Sequence, residues 1–323
     1  MLTRREMMAG AAGVCAAASG WEGARAEGPK PKTKVTFEVP RGACDCHVHV
    51  IGDPEKYPMF AGRNYTPPPA TADELLQLQK TLGLDRVVVV TPSTYGIDNS
   101  ATLDAIKQLG RERARGVVVV DPSLSSDQLA AMAKAGVSGI RVNLEQAGVF
   151  DPAAAAKRLQ TGFELAKAHN WHVQIYSRPA VIGAVASELQ SAPVPLVFDH
   201  FGGADAAAGV QQPGFDTVVS LVKSGRAYAK LSGSYRASKQ APDYPDVLPL
   251  AKALLDANPD RLVWGSDWPH PDSVVTPNRK ATDIAPYYPL DDGHLLSLLA
   301  TWVPDAETRR KILVDNPARL YGF

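Results

Sequence analysis

The sequence predicts an α/β fold, a (β/α)8 barrel of the TIM type, because short apolar runs alternate with amphipathic stretches along the chain. Eight such runs occur, and nearly all of them precede a helical pattern. Apolar runs that end in polar residues fit parallel strands covered on both faces. Eight strand–helix units over about 250–290 residues suit a barrel. A doubly wound sheet is the alternative, but no GxGxxG follows the first run to support it.

The predicted strands are rich in Val, Ile and other residues that favour extended structure. In chain order they are ACDCHVHV (43–50), RVVVVTP (86–92), RGVVVVDP (115–122), GIRVNL (139–144), WHVQIY (171–176), PLVFDH (195–200), AYAKLSG (227–233) and RLVWGSD (261–267). The stretches between them repeat apolar residues at helical spacing, as in ADELLQLQKTLG and PDVLPLAKALLDANP. The loop segments YGIDNS (95–100) and 271–293 are expected to lie over the barrel mouth.

Composition and charge exclude several classes of function. The chain has 323 residues, of which 45% are hydrophobic and 21% charged, and its 34 Lys and Arg balance 34 Asp and Glu. No global field therefore favours nucleic acid or acidic membranes. No apolar run approaches the length of a membrane-spanning helix. A small-molecule substrate is the expected partner.

The N-terminus predicts export. Arg4-Arg5 precedes a weakly apolar Ala/Gly-rich segment, and Ala24-Arg25-Ala26 provides a cleavage site. We therefore predict residues 1–26 as a twin-arginine export signal, 27–40 as a Pro/Lys-rich linker and 41–323 as the barrel domain. The protein would reach the periplasm through the twin-arginine export machinery. A disordered basic tail is the alternative.

Polar side chains gather where the predicted strands end. In a barrel these ends meet at one mouth, and active residues belong there. The residues are His47, His49, Thr91, Ser93, Asp121, Arg141, Asn143, Gln174, Tyr176, Asp199, His200, Lys230, Ser232 and Asp267. Alternation along the first strand places Asp45, His47 and His49 on one face and Cys44 and Cys46 on the other. Both cysteines are expected to be free and buried, since bridging i and i+2 would distort the strand.

Five motifs carry a resemblance to a known family. They are HVH on the first strand, FDH on the sixth, KLSGSYR on the seventh, WGSDWPHP on the eighth and the closing DNPARLYGF. Together they resemble the amidohydrolase superfamily, and more narrowly its branch of lactone hydrolases similar to 2-pyrone-4,6-dicarboxylate lactonase. The similarity covers nearly all of the chain after residue 40. The motifs are specific to the family but not to a substrate.

The resemblance also sets the metal question. A binuclear amidohydrolase site needs a bridging Lys or Glu on strand 4 and a histidine on strand 5, whereas this chain offers Arg141 there and then Gln174 or Tyr176. A binuclear centre is therefore excluded. His47, His49, His200 and Asp267 could hold one zinc ion. Because the similar lactonases work without a metal, the resemblance implies that none is required, with zinc as the alternative.

Lactone hydrolysis assigns a role to each candidate. Asp267 suits the general base, and His47, His49 and His200 suit donors to the developing oxyanion. By resemblance, Arg141 and Arg236 would bind acidic groups of the substrate; a salt bridge to a loop carboxylate is the alternative for each. Further substrate-binding candidates are Tyr176, Ser93, Thr91, Arg178 and His270.

One departure from the pattern bears on the substrate. In the 2-pyrone-4,6-dicarboxylate lactonases that the chain resembles, a second arginine follows the strand-4 arginine by six positions, whereas here that position is Ala147. A lactone with one acidic or polar substituent therefore fits better than the dicarboxylate. The competing hypotheses are a zinc-dependent decarboxylase of an aromatic or unsaturated acid, a non-catalytic binder, and a lactone isomerase.

Overall fold

The computed structural model describes residues 28–323, so the predicted export signal lies outside the described residues. Eight parallel strands pair in sequence order, which confirms the predicted (β/α)8 barrel. The strands are β1 Cys44–Val48, β2 Arg86–Val90, β3 Ala114–Val118, β4 Val137–Asn143, β5 His172–Tyr176, β6 Leu196–Phe198, β7 Ala227–Ser232 and β8 Leu262–Gly265. The segment after β8 pairs with β1 at the mouth. The backbone amide of Asp267 donates to the carbonyl of His47, and the amide of His49 donates to the carbonyl of Trp268, both at 2.8 Å.

Helices cover the outside of the barrel. They are α1 Ala72–Leu82, α2 Ser100–Leu109, α3 Ser126–Ala135, α4 Pro152–Lys167, α5 Pro179–Ala184, α6 Ala186–Gln190, α7 Phe215–Lys223, α8 Ser234–Ala237, α9 Leu248–Ala257, α10 Asp292–Trp302, α11 Ala306–Arg310 and α12 Asn316–Tyr321. A π-helical turn, Lys311–Asp315, joins the last two. Capping boxes start α1 at Thr71 and α3 at Ser125, which satisfies amides that the helices leave unpaired. No helix in residues 28–323 is long and apolar enough to span a bilayer.

A β-bulge in β1 changes the predicted facing of its side chains. The pairing of β1 with β2 shifts register between Asp45 and Val48. Strict alternation would place Val48 on the same face as Cys44 and Cys46, but the cysteines pack with Val88, Val90 and Val117, whereas Val48, beyond the shift, packs in the other core cluster. A bulge adds a residue to one strand and re-aims the next side chains. The cysteines are free, as expected.

The C-terminal helix closes the end of the barrel opposite the mouth. The Asn316 side chain, fully buried, donates from Nδ2 to the carbonyls of Pro259 and Leu262 at 2.9 and 2.8 Å. The ring of Tyr321 meets that of His172 edge to face, with centroids 5.2 Å apart. This closure explains the terminal DNPARLYGF motif and leaves the other end of the strands for chemistry.

The predicted linker has no helix or strand between residues 28 and 40 but lies against the barrel domain. Trp268 Nε1 donates to the carbonyl of Pro29 at 3.0 Å, and the Gly28 amide donates to Glu74 at 3.2 Å. A Cβ on Gly28 would lie 2.4 Å from the Trp268 ring, so this close approach requires glycine. The segment therefore packs on the loop that follows β8.

Candidate active site

Four side chains from three strand ends converge at the barrel mouth. His47 lies within β1 and His49 directly follows that strand. His200 follows β6, and Asp267 follows β8. Asp267 Oδ1 lies 3.6 Å from Nε2 of both His47 and His49, and Asp267 Oδ2 lies 3.8 Å from Nε2 of His200. All four residues are at most 3% exposed.

The two carboxylate oxygens of Asp267 have different surroundings. Oδ2 accepts from the hydroxyl of Tyr235 at 2.7 Å and from Arg236 Nε at 2.5 Å. Oδ1 is buried and has no hydrogen-bond partner in the described chain. One oxygen is therefore held in place while the other remains open to a ligand.

Backbone strain and charge accompany this arrangement. Asp267 and His200 adopt positive φ values of 65° and 49°. Residues other than glycine adopt such values at an energetic cost, and these strained residues cluster at functional sites. Burial alone would raise the pKa of Asp267, but the Arg236 guanidinium beside it holds that pKa well below its usual range. Asp267 is consequently a carboxylate at neutral pH.

The tautomer of His49 follows from its partner. Its Nδ1 lies 2.7 Å from the carbonyl oxygen of Val90, which can only accept, so Nδ1 carries the proton. Burial lowers the pKa of His49 to about 3, with Arg141 adding to the effect, so the ring is neutral. Its Nε2 then presents a lone pair to Asp267. This tautomer does not suit the oxyanion-donor role predicted for His49.

His200 keeps the freedom that His49 lacks. Its Nδ1 lies 2.9 Å from Ser232 Oγ, a hydroxyl that can donate or accept. When Ser232 donates, His200 Nε2 carries the proton and faces the centre. The geometry therefore leaves the oxyanion-donor role open for His200.

A buried polar network supports His47 from below. Asp199 Oδ1 lies 3.2 Å from His47 Nδ1, and Lys230 Nζ lies 3.2 Å from the same nitrogen. Gln174 joins the two, accepting from Lys230 at 2.7 Å and donating to Asp199 Oδ2 at 3.0 Å. Burial would raise the pKa of Asp199, but Lys230 and His47 hold it well below its usual range. Sequence reasoning found these strand-end residues without assigning them this supporting role.

The centre contains a His/Asp cluster that could bind a metal ion. The potential ligand atoms of His47, His49 and Asp267 lie within 4.8 Å of one another, and so do those of His47, Asp199 and His200. His47 Nε2 and Asp267 Oδ1 lack partners within residues 28–323, and the His49 lone pair points at the same space. A ligating histidine usually donates the N–H of its other ring nitrogen to a carbonyl or carboxylate, as His49 does to the carbonyl of Val90. The donor set therefore fits one divalent ion such as zinc.

A cavity of about 1880 Å³ opens over the mouth, and a pocket of about 10 Å³ lies beneath it at the centre. Residues that line both spaces are positioned to contact a ligand that enters from the cavity. They include Ser93, Arg141, Asn143, Tyr176, Arg236 and Ser273. Arg236 lines both spaces, and its Nε lies 2.5 Å from Asp267 Oδ2, so it forms the kind of salt bridge that the sequence analysis gave as the alternative to binding a substrate acid. As expected, segment 271–293 reaches the mouth, where Val274 and Val275 line the cavity.

The structure places three predicted substrate residues elsewhere. Thr91 is fully buried and its hydroxyl bonds with Asn99 and Thr102, so it supports the strand end. Arg178 forms a two-point ion pair with Glu145 and does not line the pocket. His270 is buried against Asp292, with Nε2 3.0 Å from Oδ1, and also lies outside the pocket lining. Motif position alone did not reveal these local partners.

Tyr235 is a site residue that sequence reasoning missed, as are Tyr65, Gln146 and Ser273, which line the small pocket. It follows Gly233 in LSGSYR, and the left-handed Gly233 starts the short α8 that turns Tyr235 and Arg236 toward Asp267. The Tyr235 ring also contacts His270 edge to face, with centroids 5.6 Å apart. In LSGSYR the tyrosine directly precedes the arginine, so the motif that indicates Arg236 also indicates Tyr235.

Fold and site together define a barrel enzyme with a His-x-His, His and Asp centre of the amidohydrolase type. A family model described as amidohydrolase matches residues 44–323, and the chain belongs to this family, in its lactone hydrolase branch. It is 38% identical over 292 residues to the 4-sulfomuconolactone hydrolase of Hydrogenophaga intermedia, covering 88% of this chain and 90% of the relative. It is 34% identical to the 2-pyrone-4,6-dicarboxylate hydrolase of Comamonas testosteroni, covering 90% and 93%.

Solved structures share the barrel fold. A structure of an Agrobacterium tumefaciens protein matches with a TM-score of 0.74 at 28% identity, covering 88% of this chain and 97% of that one. A 2,6-dihydroxybenzoate decarboxylase matches with a TM-score of 0.50 at 13% identity, which shows a shared fold alone. The decarboxylase alternative is thus the more distant one.

Proposed function

We propose that this enzyme hydrolyses the ring ester of a small lactone that carries an acidic or polar substituent. The observation that carries the proposal is Asp267 Oδ1, a buried, unpartnered carboxylate oxygen at the floor of the pocket. A water molecule bound beside Asp267 Oδ1 would contact this proton acceptor and also the Nε2 atoms of His47 and His49. Such a water is the nucleophile that ester hydrolysis needs.

Asp267 would accept a proton in the first step of the reaction and return it in the second. Asp267 Oδ1 takes a proton from water as the water oxygen bonds to the lactone carbonyl carbon. His200, with Ser232 donating to its other nitrogen, stabilises the oxyanion. The ring C–O bond then breaks, and the leaving oxygen takes the proton back from Asp267. The product is a ring-opened carboxylate, and one proton is released to solvent near neutral pH.

Two lines of support point to an acidic substrate. The names of the relatives, 4-sulfomuconolactone hydrolase and 2-pyrone-4,6-dicarboxylate hydrolase, both denote lactones with acidic groups. Arg141 is 6% exposed and lines the pocket, where its guanidinium can bind an acid. Ala147 lines the cavity at the position where a second arginine was expected. This favours a substrate with fewer acidic groups than the dicarboxylate.

The cofactor belongs to the same proposal. The resemblance favours a metal-independent enzyme, which stays a prediction, while the lone pair of His49 favours the zinc alternative. A divalent ion held by His47, His49, His200 and Asp267 would act as a Lewis acid toward the lactone carbonyl. Active enzyme that carries one zinc per chain and loses turnover on chelation would contradict the metal-independent prediction.

Export completes the proposal. Arg4-Arg5 and Ala24-Arg25-Ala26 support delivery to the periplasm by the twin-arginine machinery. The barrel domain would then act on lactones in that compartment.

A panel of acidic and neutral lactones, followed by proton release, tests the function. We expect turnover of at least one acidic lactone, and its loss in Asp267→Asn, because an amide cannot accept the proton from water. Carbon dioxide is measured in parallel with aromatic and unsaturated acids. Decarboxylation without proton release from any lactone would replace this proposal with the decarboxylase alternative.

A further inference from the structure

Two hydrogen-bond donors on β4 face the pocket without an acceptor. Nε of Arg141 and Nδ2 of Asn143 are buried and have no partner within the described part of the chain. Buried donors are nearly always paired, so each unpaired one calls for an explanation. Both residues line the small pocket that contains His49 and Asp267.

The orientation of the Asn143 amide is fixed by its own loop. Asn143 Oδ1 accepts from the backbone N–H of Gln146 at 2.9 Å. An amide nitrogen could not accept that bond, so the oxygen and nitrogen assignment is unambiguous. The NH₂ group consequently points away from the loop and lies at the pocket.

Arg141 is anchored in a way that leaves one edge unused. Its Nη1 donates to the carbonyl of Thr91 at 3.1 Å, and its Nη2 is 4.0 Å from Asp199 Oδ2. Asp199 is itself engaged by His47, Gln174 and Lys230. The Nε–H of the Arg141 guanidinium is therefore free to donate a charge-assisted hydrogen bond to a ligand.

The two donors are spaced for one substituent. Residues two apart on a strand share a face, with an advance of about 6–7 Å along the strand. Asn143 lies nearer the mouth, because it is the last residue of β4. A group with several acceptor oxygens, lying between the two side chains, can accept from both.

We propose that Asn143 is a specificity-determining residue that, together with Arg141, binds the oxyanionic substituent of the lactone, a carboxylate or a sulfonate. The assignment rests on the proposed lactone hydrolysis and names the group through which the substrate is recognised. A neutral lactone leaves both donors unpaired, and a site built to pair such donors discriminates against a ligand that lacks the acceptor. Asn143 contributes to binding of the acid, and Asp267 contributes to turnover.

Asn143→Asp tests the donor without removing the loop contact. The new carboxylate still accepts from the Gln146 amide but replaces the NH₂ donor with a negatively charged acceptor. We expect KM for a γ-lactone bearing a carboxylate to rise by about 30-fold or more, with less than about 3-fold change for the unsubstituted γ-lactone. Asn143→Ser, which is uncharged and also able to accept from that amide, should raise the first KM by about 10-fold.

The matched control is Asn170→Asp, which places the same charge change at an exposed site away from the pocket. It should change neither KM. A sulfonate-bearing lactone, assayed beside the carboxylate, distinguishes the two substituents by which KM the variants raise more. Equal changes for acidic and neutral lactones, or no change, would overturn the assignment.

Failure of the proposed function gives a different result. A parent enzyme that turns over none of these lactones contradicts lactone hydrolysis. The assignment is then judged by calorimetric binding of the acidic lactone to parent and Asn143→Ser, where equal affinity would overturn it.

Discussion

The two carboxylate oxygens of Asp267 have different roles: Oδ2 is held by hydrogen bonds, and Oδ1 is available to accept a proton. Tyr235 and Arg236 hold Oδ2, which fixes the plane of the carboxylate, and Oδ1 faces the histidines. A general base must be positioned as well as ionised. The neighbouring donors are therefore part of how the centre works, although neither contacts Oδ1.

Removal of the Tyr235 hydroxyl tests this support. Tyr235→Phe deletes the 2.7 Å hydrogen bond to Oδ2 but keeps the ring that packs on His270. We expect kcat to fall by about 10-fold with little change in melting temperature. Tyr288→Phe, which removes a hydroxyl bonded to Asp272 instead, is the control and should leave kcat unchanged. An unaltered kcat in Tyr235→Phe would show that Oδ2 needs no such donor.

The two arginines of the site should respond differently to the same change. Arg141→Met should raise KM for an acidic lactone at least 10-fold while hardly affecting a neutral one, because it removes a charge-assisted contact with the substrate. Arg236→Met should instead lower kcat for both lactones, because Arg236 is paired with Asp267. Steady-state kinetics on both substrates separate the two patterns. Identical patterns in the two variants would contradict the division of roles.

At the scale of elements, β1 shows what the sequence can and cannot predict. The apolar runs predicted all eight strands, since continuous burial leaves a strong local pattern. Alternation failed at the bulge after Asp45, because a bulge depends on pairing with neighbouring strands. The same reason applies to Thr91, Arg178 and His270: their partners lie on other elements, and strand-end position alone could not reveal them.

β5 begins with a histidine that should make stability depend on pH. His172 is 2% exposed, and burial, helped by Lys230, lowers its pKa to about 3. In the unfolded chain its pKa is near 6.5, so between these values the unfolded state binds one more proton. Stability is therefore full above about pH 6.5 and falls by up to about 1.4 kcal/mol per pH unit as the pH decreases from there.

His172→Gln isolates this contribution. Denaturant unfolding of both proteins from pH 7 to pH 4 should give a shallower loss of stability in the variant, whatever its stability at pH 7. Equal slopes in the two proteins would show that His172 is protonated in the folded state as readily as in the unfolded chain.

At the scale of the whole molecule, the ends of the barrel have separate functions. The terminal helix seals one end through Asn316 and Tyr321, and the cavity opens at the other. Segment 28–40 attaches beside the mouth through Trp268, next to Asp267. A cleavage after Ala26 would leave this attachment intact, which is compatible with a folded, exported enzyme.

Replacement of Arg4-Arg5 by Lys-Lys tests export. We expect the full-length protein to remain in the cytoplasm, because the twin-arginine machinery recognises the paired arginines. Cell fractionation with immunoblotting gives the distribution, and Arg111→Lys, the same charge-conserving change at an exposed site in the barrel domain, is the control and should leave the distribution unchanged. Unchanged periplasmic yield in the Lys-Lys protein would contradict the predicted signal.

The central claim is that a water molecule activated at Asp267 attacks the lactone carbonyl, and isotope labelling tests this most directly. Turnover of an acidic lactone in H₂¹⁸O should place one ¹⁸O atom in the new carboxylate and none in the released ring oxygen, as mass spectrometry of the product can establish. Asp267→Asn should form the labelled product far more slowly. A rearranged product without ¹⁸O would identify an isomerase, and ¹⁸O in the released hydroxyl would show attack at the wrong carbon; either result would contradict the account.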